Sequence, residues 1–143
     1  DRWNEMKAAS QTELLTPRFF GSDRDQGVIG MARRNADAAG VAEAITLGAN
    51  AFSDVQRPEG PSGLVIVNPP YGARIGNKKL LFGLYGALGS TLKERFGGWR
   101  VGLVTSEPSL AKATQLPWKE GGPRIAHGGL TVQLWQTGVL FGA

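Results

Sequence analysis

The chain has 143 residues, 41% of them hydrophobic, with 16 lysines and arginines against 12 aspartates and glutamates for a formal charge of +4; this composition can bury a core and excludes a disordered tail. No apolar run is long enough to cross a bilayer, and the opening residues lack the basic start and apolar stretch of a signal peptide, so a soluble, cytoplasmic protein with no membrane partner is expected. With no cysteine and a single histidine, a disulfide framework, a thiolate centre and an ordinary zinc site are excluded, and the expected chemistry is metal-free.

Taken in order, Trp3, Met6, Leu14 and Leu15 among polar residues predict a helix over 3–15, ended by Pro17. A short strand over 18–23 follows. The helix predicted over 26–39 has Val28, Ile29, Met31, Ala32, Ala36 and Ala39 as its apolar face, with Gly40 as its stop signal. A strand over 44–48 leads into a polar loop containing Asp54, Arg57, Pro58 and Gly60. The β-branched run 64–67 reads as a strand buried on both faces of a parallel sheet. The helix over 80–96 contains Gly83, Gly86 and Gly89, each costing roughly 1 kcal/mol against alanine; close packing on the sheet is the expected return. A buried strand over 101–105 and a short helix over 109–115 come next. The chain closes on a hairpin, 124–127 and 130–137, about a Gly128-Gly129 turn. The order is that of an α/β fold.

The informative segment is Asn68-Pro69-Pro70-Tyr71, delivered by an apolar strand to its C-terminal edge, where open α/β sheets bind ligands. An exocyclic base amine is a poor nucleophile because its lone pair is delocalised into the ring. Two acceptors for its hydrogens, the Asn68 carboxamide oxygen and the Pro69 carbonyl, would aim that lone pair at an electrophilic methyl group and stabilise the positive charge that develops. The two prolines hold the acceptors in place beforehand, and Tyr71 offers a face on which an extruded base can stack. Asn and Pro also simply end strands. Chance, however, places Asn-Pro-Pro-aromatic in a chain this long with a probability on the order of 1 in 1,000.

Together with Phe20-Gly21-Ser22-Asp23-Arg24-Asp25, Ala32-Arg33-Arg34-Asn35-Ala36, Ala39-Gly40-Val41, Asn68 through Gly76 and His127-Gly128-Gly129-Leu130, this motif resembles the N6-adenine/N2-guanine methyltransferases. Within them it is most similar to the large-subunit ribosomal RNA guanine-N2 branch that often carries an RNA-binding THUMP domain. The resemblance implies a Rossmann-like class I methyltransferase sheet, mostly parallel with a C-terminal antiparallel hairpin. It implies S-adenosylmethionine as cofactor, transfer to guanine N2, and ribosomal RNA as partner. Asp23 would bind the ribose hydroxyls; Asp25, the other candidate, is better placed to cap a helix. Asn50, with Ala51 beside it, falls where the family often has Asp for the adenine amine, although Asn50 also reads as a plain loop residue.

Two departures from the family stand out. Its glycine-rich cofactor loop has no counterpart before Asp23, so residues 1–143 are read as the C-terminal portion of one catalytic domain lacking its first strand. That reading leaves two exposed sheet edges, with two expected outcomes: the chain closes the gap by rearrangement, or it self-associates by pairing with another copy. His127 stands where the family usually has Asn, either as a turn residue or as an RNA contact. Arg74, Lys78 and Lys79 follow the motif on an expected loop, either near the phosphates of a bound nucleotide or simply solvated. Trp99 and Trp135 read as packing residues rather than base platforms. The alternatives to the RNA guanine enzyme are a DNA adenine-N6 methyltransferase and a non-catalytic RNA-binding module.

Overall fold

Strand and helix alternate along the chain as its hydrophobic periodicity requires. The computed structural model describes residues 1–10, 18–71 and 78–141, with the side chains of 7–10 excepted. Two units result, Asp1–Pro58 and Glu59–Ala143. The expected end of the first helix at Leu15, its stop at Pro17, and Arg74 lie outside the described residues.

In the first unit, α1 (Arg2–Ser10) begins where the Asp1 carboxylate accepts the Trp3 amide at 3.0 Å. Strand β1 (Phe19–Asp23) pairs in parallel with β2 (Ile45–Ala49), Phe19 opposite Ile45 and Asp23 opposite Ala49. The connection carries α2 (Gln26–Ala39) and a 3-10 turn, Ala42–Ala44. Asp25 starts α2 by accepting the amides of Gly27 and Val28 at 2.7 and 3.3 Å, satisfying donors that no helical carbonyl can reach. Gly40, at φ +74°, ends it, and the amides of Gly40 and Val41 return to the carbonyls of Asp37 and Ala36.

The apolar face of α2 is narrower than its periodicity suggests. Ile29 and Ala36 are buried and Ala32 is half-buried, whereas Val28, Met31 and Ala39 are exposed. Ile29 and Ala36 are two turns apart on one stripe, and within this unit a two-stranded sheet offers only a narrow surface to cover it.

The second unit holds β3 (Leu64–Val67), α3 (Lys78–Arg95), β4 (Arg100–Thr105), α4 (Pro108–Ala113), β5 (Arg124–His127) and β6 (Leu130–Gln136). Its sheet runs β3-β4-β6-β5; β3 and β4 are parallel, and β6 is antiparallel to both β4 and β5. The core is built from Leu81, Tyr85, Leu88 and Leu92 along one stripe of α3, with Phe96, Trp99, Val101, Leu103, Leu110 and Val132. Trp99 meets Phe96 edge to face at 5.5 Å, an arrangement that the ring quadrupoles favour. Trp118 and Trp135 form a second edge-on pair at 6.5 Å, with the Trp118 indole donating to the Ala111 carbonyl at 2.8 Å.

Two expectations are corrected here. Strand β3 is not buried on both faces: Val65 and Val67 are half-buried, but Leu64 and Ile66 are 50% and 67% exposed. Alternate residues face opposite ways, and β3 is an end strand of its sheet, whereas the interior strand β4 buries Val101, Gly102, Leu103 and Thr105. The glycines of α3 do not serve the sheet either. A Cβ on Gly89 would collide with the Thr114 carbonyl, one on Gly86 would lie 3.8 Å from the Ala113 carbonyl, and one on Gly83 would meet open space. The close approach is therefore to the end of α4.

The hairpin follows its turn chemistry. Gly128 and Gly129 adopt φ +55° and +83°, the doubly left-handed turn that suits a two-residue loop, and His127 pairs with Leu130 across it. Gln133 lies opposite Thr105, the last residue of β4. Leu130, Thr131 and Val132 therefore carry the hairpin about 10 Å past the C-terminal end of β4.

Candidate active site

Val67 closes β3, and Asn68-Pro69-Pro70-Tyr71 follows at its C-terminal end, with Asn68 and Pro70 exposed and Pro69 and Tyr71 half-buried. Prolines have no amide hydrogen, so this stretch cannot be tied down by amides of residues 69 and 70. A side chain from α3 reaches it instead. The Tyr85 hydroxyl bonds the Pro70 carbonyl oxygen at 3.0 Å and Thr105 Oγ1 at 3.3 Å, and the Glu107 amide donates to the same threonine oxygen at 3.4 Å. Tyr85 and Thr105 are wholly buried. Burial pushes the Tyr85 hydroxyl above the ordinary tyrosine range; the Thr105 hydrogen bond pulls the other way, and Tyr71 and Glu107 add to the rise. The shift favours the neutral, proton-donating form of the hydroxyl.

Sequence reasoning missed Tyr85, Thr105 and Glu107. Tyr85 lies on the apolar stripe of α3, where an aromatic reads as core, and the only signal in the sequence is its hydroxyl, which a buried position obliges to find a partner.

In the first unit, Asp23 ends β1 and Asn50 directly follows β2. The parallel pairing brings them to one edge, and the Asn50 amide donates to the Asp23 carbonyl at 3.0 Å. The Asp23 carboxylate accepts the Asp25 amide through Oδ1 at 2.8 Å, while Asp25 is itself engaged in capping α2. Both acids use only Oδ1 in these bonds, Asp23 for the Asp25 amide and Asp25 for the first amides of α2. The Asn50 side chain lies over Gly48, where a Cβ would come within 2.6 Å of its nitrogen. Ala51 is half-buried and starts the 3-10 turn Phe52–Asp54. A carboxylate and an amide at adjacent C-terminal strand ends suit the hydroxyls and base of a nucleoside.

Lys78 and Lys79 are not on a loop; they form the first turn of α3, both exposed. His127 is exposed at the hairpin turn. Trp99 is core, as its sequence context predicts, and Trp135 is half-buried beside Trp118. Among the described residues, no group of three or more His, Asp and Glu side chains could hold a metal ion, and no helix is long and apolar enough to cross a membrane.

Solved structures of methyltransferases share this fold. SMU.472, assigned as a methyltransferase and solved in complex with SAH, is 25% identical with a TM-score of 0.74 over 87% of this chain and 32% of its own. TrmN from Thermus thermophilus is 27% identical, with a TM-score of 0.72 over 93% of this chain and 39% of its own. A predicted N6-adenine-specific DNA methylase from Listeria monocytogenes is 28% identical, with a TM-score of 0.65 over 84% and 30%. The chain thus spans about a third of the length of these relatives. The architecture is that of a Rossmann-like methyltransferase. Residues 2–130 match the family described as the RMKL-like methyltransferase domain, and the chain belongs to that family.

Proposed function

We propose that the protein carrying this chain transfers a methyl group from S-adenosylmethionine to an exocyclic base amine of a nucleic acid, with guanine N2 in ribosomal RNA as the target. The observation that carries this reading is Asn68-Pro69-Pro70-Tyr71 at the C-terminal end of a parallel strand in a chain of this family. When bound, S-adenosylmethionine supplies the electrophilic methyl group. Asp23 would hold its ribose, and Asn50 with Ala51 its adenine. The Asn68 carboxamide oxygen and the Pro69 carbonyl would accept the hydrogens of the target amine, and Tyr71 would stack on the base. Lys78 and Lys79, together with Arg74, would face phosphates. At the start of α3 the positive end of the helix adds to the charge of the two lysines. In this reading both units belong to one catalytic domain, and the chain by itself associates through its exposed sheet edges.

A second reading, methylation of adenine N6 in DNA, is favoured by the likeness to the Listeria structure, since both amines need the same pair of acceptors. The deciding experiment is methyl transfer from labelled S-adenosylmethionine by the full-length protein onto unmodified ribosomal RNA and onto duplex DNA, with nucleoside analysis of the products. N2-methylguanosine from RNA is the expected result. N6-methyladenine from DNA would install the second reading, and absence of transfer to either would leave a binding module.

A further inference from the structure

Residues 69 and 70 offer two carbonyls and no amide donor, so the shape of the motif is set by whatever donors reach it from elsewhere. One does. The Tyr85 hydroxyl has a single proton and two neighbours, the Pro70 carbonyl at 3.0 Å and Thr105 Oγ1 at 3.3 Å. A carbonyl can only accept and an amide can only donate, which fixes the direction of the whole chain of bonds. Glu107 N–H donates to Thr105 Oγ1, Thr105 returns its own proton to the Tyr85 oxygen, and Tyr85 donates to Pro70. Each bond polarises the next, and with Tyr85 and Thr105 shut off from water no solvent molecule competes for them.

We infer that Tyr85, backed by Thr105, is a positioning residue that fixes the Pro70–Tyr71 peptide plane and with it the Tyr71 ring and the acceptors just before it. Its part in turnover rests on the methyl-transfer reading above; its hold on the loop does not. The acceptors act only if they meet the amine at the moment of transfer, and a misplacement of about 1 Å can cost on the order of 100-fold in rate.

The test uses the full-length protein with Tyr85→Phe, which deletes one oxygen, and the pair Thr105→Val and Thr105→Ser, of which only the serine keeps the hydroxyl. In Tyr85→Phe, kcat is expected to fall on the order of 10- to 100-fold, with KM for S-adenosylmethionine changed by less than about twofold. Thr105→Val should lose turnover in the same sense, and Thr105→Ser should restore it. Crystal structures of the wild type and Tyr85→Phe should show the Pro70 carbonyl and the Tyr71 ring displaced in the variant. Unchanged kcat with an unmoved loop would overturn the inference, as would equal losses in Thr105→Val and Thr105→Ser, or a rise in KM matching the fall in kcat. Should Tyr85→Phe not fold, the Thr105 pair decides by the same criteria. A wild-type enzyme that methylates nothing, with the loop still displaced in the variant, would remove the methyl-transfer reading and leave the positioning role standing.

Discussion

Asn68 and Asp23 are the residues whose substitution separates the proposed steps. Asn68→Ala in the full-length protein should lower kcat by on the order of 100- to 1,000-fold, because it deletes an acceptor aimed at developing charge, while cofactor Kd, read by calorimetry, stays nearly constant. Asp23→Asn should weaken cofactor binding instead. Asp25→Ala should lower stability by about 1 kcal/mol through the lost cap of α2 with a much smaller effect on binding, and thermal melts beside titrations separate the two acids. Tyr85 carries a prediction in pH. Its native pKa lies above the ordinary value of 10.0, so its contribution to stability is fully present below that value and is lost as the pH rises through the raised native one. The difference in denaturation midpoint between wild type and Tyr85→Phe should therefore narrow under alkaline conditions. The sequence makes Asp25 legible as a cap, since that role needs only its own next three residues. Tyr85 was not legible, because its partners Pro70 and Thr105 are 15 and 20 positions away and no local pattern encodes such contacts.

The glycines of α3 divide by what surrounds them. Gly89 lies against the Thr114 backbone and cannot take a side chain without moving α4, whereas Gly83 faces open space. Gly89→Ala should destabilise by roughly 1–3 kcal/mol, and Gly83→Ala should stabilise by about 0.5–1 kcal/mol through helix propensity; chemical denaturation of the two variants checks both. Periodicity placed α3 within a few residues of its ends and could not distinguish these glycines, since what decides is the element packed on each. The strands show the same division. The run 64–67 is evident from its β-branched residues, but its burial depends on where β3 falls in the sheet, and that is set by pairings made by β4 and β6. The hairpin was readable in full because Gly-Gly dictates its own turn.

Across the molecule, burial is uneven. Among the described residues, Asp1–Pro58 buries the hydrophobic side chains of Ile29, Ala36 and Ala44, with Phe19, Phe20 and Met31 about half exposed, whereas Glu59–Ala143 holds most of the buried hydrophobic residues. In native-state hydrogen exchange, amides of β4 and the middle of α3 should outlast those of β1 and β2 by the greater free energy needed to open them; β1 amides exchanging as slowly as those of β4 would contradict this. The tryptophans share the imbalance. Trp3, largely exposed, is the one tryptophan in the sequence of the first unit, while Trp99, Trp118 and Trp135 sit in or against the core of the second. Indole emission shifts to the red when a buried ring meets water and hardly moves for one already wet, so a fluorescence melt is a nearly private record of the second unit. Loosening of β1 and β2 would pass unseen in it and needs a far-ultraviolet dichroism trace alongside.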